Sequence, residues 1–81
     1  MILTILTPRE TKNFFIKWLE LNTAMGNRVI MHGHAPIVLA LAPGKPALFD
    51  VIDGERVSVM VHYGIAEIDR ENVRLIITES T

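Results

Sequence analysis

Short apolar runs separated by glycine and proline constrain this chain more than any other feature of its sequence. The clearest case lies between Gly26 and Gly44, where a strand-like run over 27–31 leads into a Gly-His-Ala-Pro corner at 33–36. An apolar run follows the corner, and Pro43-Gly44 ends the segment. Glycine and proline in these places are typical of turns between strands. The segment is therefore predicted to form two strands, each followed by a turn.

The rest of the chain carries further strand signals, with polar or Gly/Pro clusters between apolar runs. Strands are predicted over residues 2–6, 14–21, 27–31, 37–41, 47–52, 57–62, 65–68 and 73–78. Asp53-Gly54 predicts a tight hairpin, because both residues tolerate positive φ. About 8–10 short strands without a clear amphipathic helix predict an all-β fold, a small antiparallel β-sandwich.

The run from Phe14 to Leu21 is open to two interpretations. Phe15, Trp18 and Leu19 would share one face of a helix. The run is short and rich in aromatic residues, however, which favours a strand with a β-bulge where the alternation slips. Trp18 then either faces the core or, if it is exposed, marks a partner site.

Length and composition limit the class of protein. The chain has 81 residues and no cysteine, so we expect a single domain over residues 1–81 that is stabilised by packing in a reducing compartment. A net charge of −1 with 21% charged residues argues against nucleic-acid binding and favours a protein partner. The start of the chain lacks the features of a signal peptide, which predicts a cytoplasmic location. The longest apolar run, 35–43, is far shorter than the about 20 residues that cross a bilayer.

Residues that resemble catalytic or metal-binding motifs do not form a complete set. His32 and His34, with His62 or Asp50, are candidate metal ligands, but residues 35–42 contain no acid for a cupin-type site. We therefore predict no metal site, and an enzyme of the cupin kind is disfavoured.

The remaining chemical motifs are also incomplete. Gly44-Lys45 resembles part of a phosphate-binding loop, but the upstream glycine is missing and Pro46 replaces the Ser or Thr that binds magnesium. Glu67 with Asp69, or Glu20 with His34, form no recognisable acid–base pair. The sequence predicts no enzyme, no cofactor and no small-molecule substrate.

One family has the same spacing of turn residues. Gly26, the corner at 33–36 and Pro43-Gly44 resemble the N-terminal domain of the ATP synthase epsilon subunit, which reads Gly, five residues, Pro-Gly-His-Ala-Pro, an apolar run and Lys-Pro-Gly. The resemblance continues through residues 62–68 and 72–79, and the opening strand also fits, so it covers nearly the whole chain. His32 replaces the family's proline, Tyr63 its first glycine and Asn22-Thr23 the usual Pro-Gly. The family's usual chain continues into two C-terminal helices, so this sequence, ending at Thr81, resembles the short form.

The resemblance implies a non-catalytic central-stalk (rotor) subunit of an F-type ATP synthase. Such a subunit binds the gamma subunit and the c ring, supports coupled ATP synthesis and ion transport, and reaches the membrane only through the complex. The alternative is a free-standing protein-binding module with the same fold. The residues that the resemblance implies are Thr7 and His34 facing gamma and Met25, Asn27 and Arg28 facing the c ring. Gly26, Gly33, Pro36, Pro43 and Gly64 are predicted only to shape turns.

Overall fold

A computed structural model of the chain describes residues 1–79 and contains seven strands. Their bounds are β1 Ile2–Leu6, β2 Thr11–Thr23, β3 Gly26–Met31, β4 Ile37–Ala40, β5 Lys45–Val51, β6 Arg56–Ile68 and β7 Asn72–Glu79. No helix in this part of the chain is long and apolar enough to cross a membrane. The prediction of a small all-β fold is confirmed.

Two long strands, β2 and β6, fold the continuous sheet into two layers. Residues 11–15 of β2 pair with β1, whereas residues 18–23 pair with β3, and residues 16–20 pair with β5. In the same way, β6 pairs first with β5 and then, from residue 61 onward, with β7 and β4. Layer A therefore contains β3, the second half of β2, β5 and the first half of β6. Layer B contains the first half of β2, β1, β7, the second half of β6 and β4.

The six connections lie at two opposite ends of the sandwich. Backbone hydrogen bonds from Ala24 to Ala40 and from Gly44 to Val61 bring two of them together beside the middle of β6. Thr7 and Pro8 of a third connection line a groove with Tyr63, two residues after Val61, and we call this end the hairpin end. It contains residues 7–10, 24–25 and 42–44. Backbone hydrogen bonds from Gly33 to Arg70 and from Ile52 to Phe15 lie at the opposite end of the sandwich, which we call the far end. The far end contains residues 32–36, 52–55 and 69–71.

The core lies between the two layers and uses every second residue of each strand. Leu3, Leu19, Phe49 and Val73 have no exposed surface, and they come from four different strands. Burying such a side chain contributes about 1.5–3 kcal/mol. The same alternation leaves the intervening residues of each strand on the outer face of its layer.

The second predicted strand forms as expected, with an irregularity where the alternation slips. Its register with β5 shifts between Ile16 and Trp18, so Ile16 and Leu19 both face the core. Trp18 consequently lies on the outer face of layer A and is half-buried. Of the two positions left open for Trp18, the structure selects the outer one.

The prediction that Gly64 shapes a turn is wrong, because Gly64 lies inside β6. A Cβ atom there would come within 2.5 Å of Ile77 Cγ2 and 2.8 Å of the Ile76 carbonyl oxygen. Glycine is needed for the close approach of β6 and β7, not for a change of direction. One strand of 13 residues thus replaces the two predicted strands, which gives seven strands in place of eight to ten.

Two further details differ from the prediction. β1 and β7 pair in parallel, whereas the sandwich was predicted to be antiparallel throughout. The connection at Asp53-Gly54 is a four-residue loop, residues 52–55, in which Asp53 has positive φ (58°) and Gly54 does not. Gly26, Gly33 and Gly44 have φ values of 116°, 86° and 72°, which favour glycine.

Candidate interaction surfaces

An apolar row crosses the outer face of layer B. Leu6 pairs with Ile76, Ile76 with Ile65, and Ile65 with Ala40, so these four side chains lie next to one another across four strands. We call them the apolar row. Ile65 and Ile76 are 40% and 39% exposed, although strands of this kind usually present polar side chains to water.

Two strongly exposed side chains extend the apolar row at its borders. Tyr63, near the hairpin end, is 61% exposed, and Val38, on β4, is 65% exposed. A contiguous apolar surface of this kind is typical of a site that another protein covers. The outer face of layer B is therefore the first candidate interaction surface.

A second row on the same face is polar except for Val38 at its β4 end. It joins Thr4, Arg74, Glu67 and Val38 across β1, β7, β6 and β4. Arg74 Nη1 lies 3.3 Å from Glu67 Oε1, yet this buried oxygen accepts no well-aligned hydrogen bond among the described residues. The contact is thus an ion pair with poor hydrogen-bond geometry, which is worth little at a surface. The apolar row is flanked by charges that a partner can align further.

Two shallow grooves lie on this face. One, of about 430 Å³, is lined by residues that include Val38, Glu67 and Arg74. The other, of about 310 Å³, lies toward the hairpin end and is lined by residues that include Tyr63 and Ile76. Both are open and suit side chains of a protein partner better than an enclosed small molecule.

Thr7 and His34, the residues predicted to face gamma, border layer B at opposite ends. Thr7 Oγ1 accepts hydrogen bonds from the backbone N–H groups of Arg9 and Glu10, at 3.3 and 3.2 Å, and so shapes the β1–β2 turn. His34 precedes β4 at the far end, and its Nδ1 lies 2.6 Å from the Ala35 carbonyl oxygen. The structure does not bring the two residues together, but the outer face of layer B lies between them.

Met25, Asn27 and Arg28, the residues predicted to face the ring, lie together at the β2–β3 hairpin. Met25 is at the tip and is 90% exposed. Thr23 Oγ1 fixes the turn, because it accepts a bond from Met25 N–H at 3.1 Å and donates one to the Gly26 carbonyl at 2.7 Å. Arg28 lies on β3, three residues after Met25, and is exposed. The hairpin is the second candidate interaction surface.

Asn27 also supports the fold, which the sequence did not reveal. Its Nδ2 lies 3.3 Å from Asn22 Oδ1, and Asn22 Nδ2 donates to the Pro46 carbonyl at 2.9 Å. These bonds connect β3, β2 and β5 across layer A. The hairpin is therefore held in a fixed orientation relative to the sandwich.

The outer face of layer A has a different character. Arg56 lies 5.0 Å from the centre of the Trp18 ring and bonds Asp50 through Nε at 2.9 Å. The hydrogen bond from Arg56 holds the pKa of Asp50 below its usual value. Cation–π and ionic contacts within the face thus engage Arg56 and Asp50, while Val29 and Met31 remain exposed at the edge strand β3.

The candidate metal ligands do not share a site. His32 and His34 lie at the far end, whereas His62 lies beside the bend of β6 at the hairpin end. Among the side chains that the structure describes, no group of three or more His, Cys, Asp or Glu residues is arranged to hold a metal ion.

The sequence interpretation missed the apolar row. Ile76 stands between Leu75 and Ile77 in a run that alternates, so its outward position could be read from the period of two. The available signal for an exposed apolar surface was Ile76, an isoleucine at a position of β7 that faces away from the core, where a polar residue is usual. The positions of Ile65 and Val38 beside it required the pairing of β6 with β7 and β4.

A small β-sandwich with an exposed apolar outer face and a hydrogen-bonded hairpin at one end has the features typical of a protein-binding domain. Comparison with protein families identifies the family of the chain, because the family described as "ATP synthase, Delta/Epsilon chain, beta-sandwich domain" matches residues 1–80. The chain belongs to this family. A search of curated protein sequences gives no significant match.

Solved structures include similar folds from two ATP synthases. A chain of the Euglena gracilis mitochondrial ATP synthase structure, OSCP/F1/c-ring in rotational state 1, has a TM-score of 0.84 and 19% identity and matches 98% of this chain. A chain of the Tetrahymena thermophila mitochondrial ATP synthase structure, central stalk/c-ring, has a TM-score of 0.82 and 16% identity, with the same coverage of 98%. The present chain spans 51% and 63% of those two chains, so the likeness is to one domain of each.

Proposed function

We propose that this protein is a non-catalytic central-stalk (rotor) subunit of an F-type ATP synthase. In this proposal the outer face of layer B packs on the gamma subunit, and the hairpin end rests on the c ring. The subunit transmits torque that couples ATP chemistry to ion transport, and it performs no reaction itself. It works on the cytoplasmic side, peripheral to the membrane as part of the complex.

The observation that carries the proposal is the apolar row, in a domain of this family. Stable protein interfaces combine an apolar centre with a polar rim, and the row has the Arg74–Glu67 pair along one side. Thr7 and His34 border the same face at its two ends. A gamma-facing role for both residues is consistent with a partner that covers the whole face.

A binding experiment with purified gamma subunit tests this assignment. The double variant Ile65→Ser/Ile76→Ser removes the centre of the apolar row, where side chains usually contribute most to binding. We expect the dissociation constant for gamma to rise by at least about 30-fold, which corresponds to about 2 kcal/mol. Both residues are partly exposed, so the variant should still fold.

The matched control is Val29→Ser/Met31→Ser on the outer face of layer A. It also removes two exposed apolar side chains, 54% and 60% exposed, but from the opposite face. The control should bind gamma as the parent does. If the control loses binding and the layer B variant keeps it, the wrong face has been assigned. If the parent itself does not bind gamma, the free-standing binding module becomes the better interpretation.

A further inference from the structure

Formal charge is distributed unequally between the two ends of the sandwich. Together with the adjoining strand residues, the hairpin end comprises residues 7–12, 24–28, 42–46, 61–63 and 78–79, and this extended hairpin end has four cationic residues and two acidic ones, a net charge of +2. The rest of the chain has four cationic and seven acidic residues, a net charge of −3. The overall charge of −1 therefore conceals a positive end. The cationic residues of the hairpin end are Arg9, Lys12, Arg28 and Lys45.

Most of this positive charge is not paired within the described residues. Lys12 Nζ lies 3.3 Å from Glu10 Oε1, and this exposed pair is one of three salt bridges found there. The other two join Asp50 with Arg56 and Glu67 with Arg74, away from the hairpin end. Arg9, Arg28 and Lys45 take part in none of them and are exposed.

Arg28 and Lys45 are close enough to act on one partner group together. Arg28 pairs with Leu21 on β2, and Asn22 bonds the carbonyl of Pro46, which follows Lys45. β3 and β5 flank β2, two strand spacings of about 4.8 Å apart, and the register with β2 puts Lys45 two residues farther along the strands than Arg28, so the backbones that carry the two cations are about 12 Å apart. A group bound midway lies about 6 Å from each backbone, within the Debye length of about 10 Å at 0.1 M ionic strength. Their fields therefore add at a group bound between them.

We infer that the hairpin end binds acidic side chains on the loops of the membrane ring. The inference rests on the proposed function, which names the ring as the partner. It adds that the loops of the ring in contact with this chain are acidic. Exposed Met25 supplies one apolar contact at the centre of the hairpin. Complementary charge across such a contact raises the association rate and makes binding depend on salt.

A lipid surface is the less favoured partner. Domains that bind membranes directly present a broad apolar face that enters the interface, together with many cations. The hairpin tip offers Met25 alone, and the cations lie in or beside three separate connections rather than on one continuous face. Discrete acidic side chains fit this arrangement better than a continuous layer of head groups.

The test measures binding of the full chain to detergent-purified c ring from the host, at low and at high salt. Arg28→Glu and Lys45→Glu should each raise the dissociation constant at least about tenfold at low salt, and the difference should shrink toward high salt. Arg70→Glu, at the far end, makes the same change of charge and should bind the ring as the parent does. Binding to gamma should be unchanged in all three variants, which verifies that they fold.

The possible outcomes separate the inference from the proposed function. Equal ring binding by Arg28→Glu and Arg70→Glu, or tighter binding by Arg28→Glu, overturns the inference and leaves the rotor assignment standing. Binding of the parent to protein-free vesicles of phosphatidylcholine and phosphatidylserine, at least as tight as to the ring, also overturns it in favour of lipid. If the parent binds neither gamma nor the ring, the proposed function fails first.

Discussion

Gly64 allows the most quantitative test of the fold, because its substitution by alanine adds a single methyl group at a closely packed place. The new Cβ would lie 2.5 Å from Ile77 Cγ2, 2.8 Å from the Ile76 carbonyl oxygen and 3.1 Å from Ile77 Cα. Two of these three atoms belong to the backbone of β7 and cannot rotate away. β6 and β7 must therefore separate, which disturbs the ladder that carries Ile65 and Ile76.

Forcing an extra methyl group into a packed interior costs about 1–3 kcal/mol. A domain of 81 residues has a total stability of about 4–12 kcal/mol. In a domain of this size, 1 kcal/mol lowers Tm by about 4–8 °C. A cost near 2 kcal/mol should thus lower the Tm of Gly64→Ala by about 8–16 °C, as followed by circular dichroism during heating.

Two comparisons make the result specific. Ser58→Ala on the same strand replaces an exposed residue and should change stability by less than about 0.5 kcal/mol. Ile77→Ala is destabilising by itself, because Ile77 belongs to the core, so the second comparison is a double-mutant cycle: removing the Cγ2 contact should recover only part of the cost of Gly64→Ala, because the clashes with the β7 backbone remain. If Gly64→Ala melts at the parent's temperature, β6 and β7 do not approach closely enough at this place to exclude a Cβ atom, and glycine there has another cause.

Three further predictions concern other sites. Trp18→Ala should cost about 1–2 kcal/mol in urea unfolding, below the ~3–5 kcal/mol of a fully buried aromatic residue, because Trp18 is half-buried; a loss of 4 kcal/mol would place it in the core. The backbone N–H groups of Glu71 and Asn72 lower the pKa of Asp69 in the folded state. The stability that they confer is complete above the usual pKa of about 3.9 and is lost as pH falls through the folded pKa, so Tm of Asp69→Asn should depend less on pH below about 4; an unchanged acid profile would contradict this. Asn27→Ala/Arg28→Ala should lower the free energy of unfolding by about 1 kcal/mol, the value of the lost Asn27 hydrogen bond. If this double variant binds the ring as the parent does at every salt concentration, the hairpin is not part of the ring interface.

Turn chemistry was the part of the fold that the sequence predicted best. Gly26, Gly33 and Gly44 adopt positive φ, for which glycine is the favoured residue. The slipped alternation of residues 14–21 predicted a strand with a bulge, and the register shift lies between Ile16 and Trp18. These signals are local, because each depends on the conformation of a few neighbouring residues.

Features that depend on distant pairing were not predictable in the same way. The parallel contact of β1 with β7 joins the two ends of the chain, and no turn residue encodes it. The sequence pattern predicts a turn at Gly64, but a glycine within a strand pattern marks either a break or a close approach of two backbones. Only the neighbouring strand, with Ile77 against it, decides between them.

The candidate surfaces show the same division. The hairpin with Met25 and Arg28 was predictable from adjacent turn residues, whereas the apolar row was not. Ile65 and Ile76 are eleven positions apart in the sequence and face each other only through the β6–β7 register. The charge separation between the ends likewise needs the six connections to be assigned to their ends.

Isolation of the tagged full chain from its host's membranes, in mild detergent, tests the central claim most directly. The proposed function predicts that the gamma subunit and the c ring copurify with the chain in constant proportion and that Ile65→Ser/Ile76→Ser greatly reduces the recovery of both. The matched Val29→Ser/Met31→Ser variant should retain them. Recovery of the parent chain alone, or with a partner unrelated to the ATP synthase, would contradict the rotor assignment.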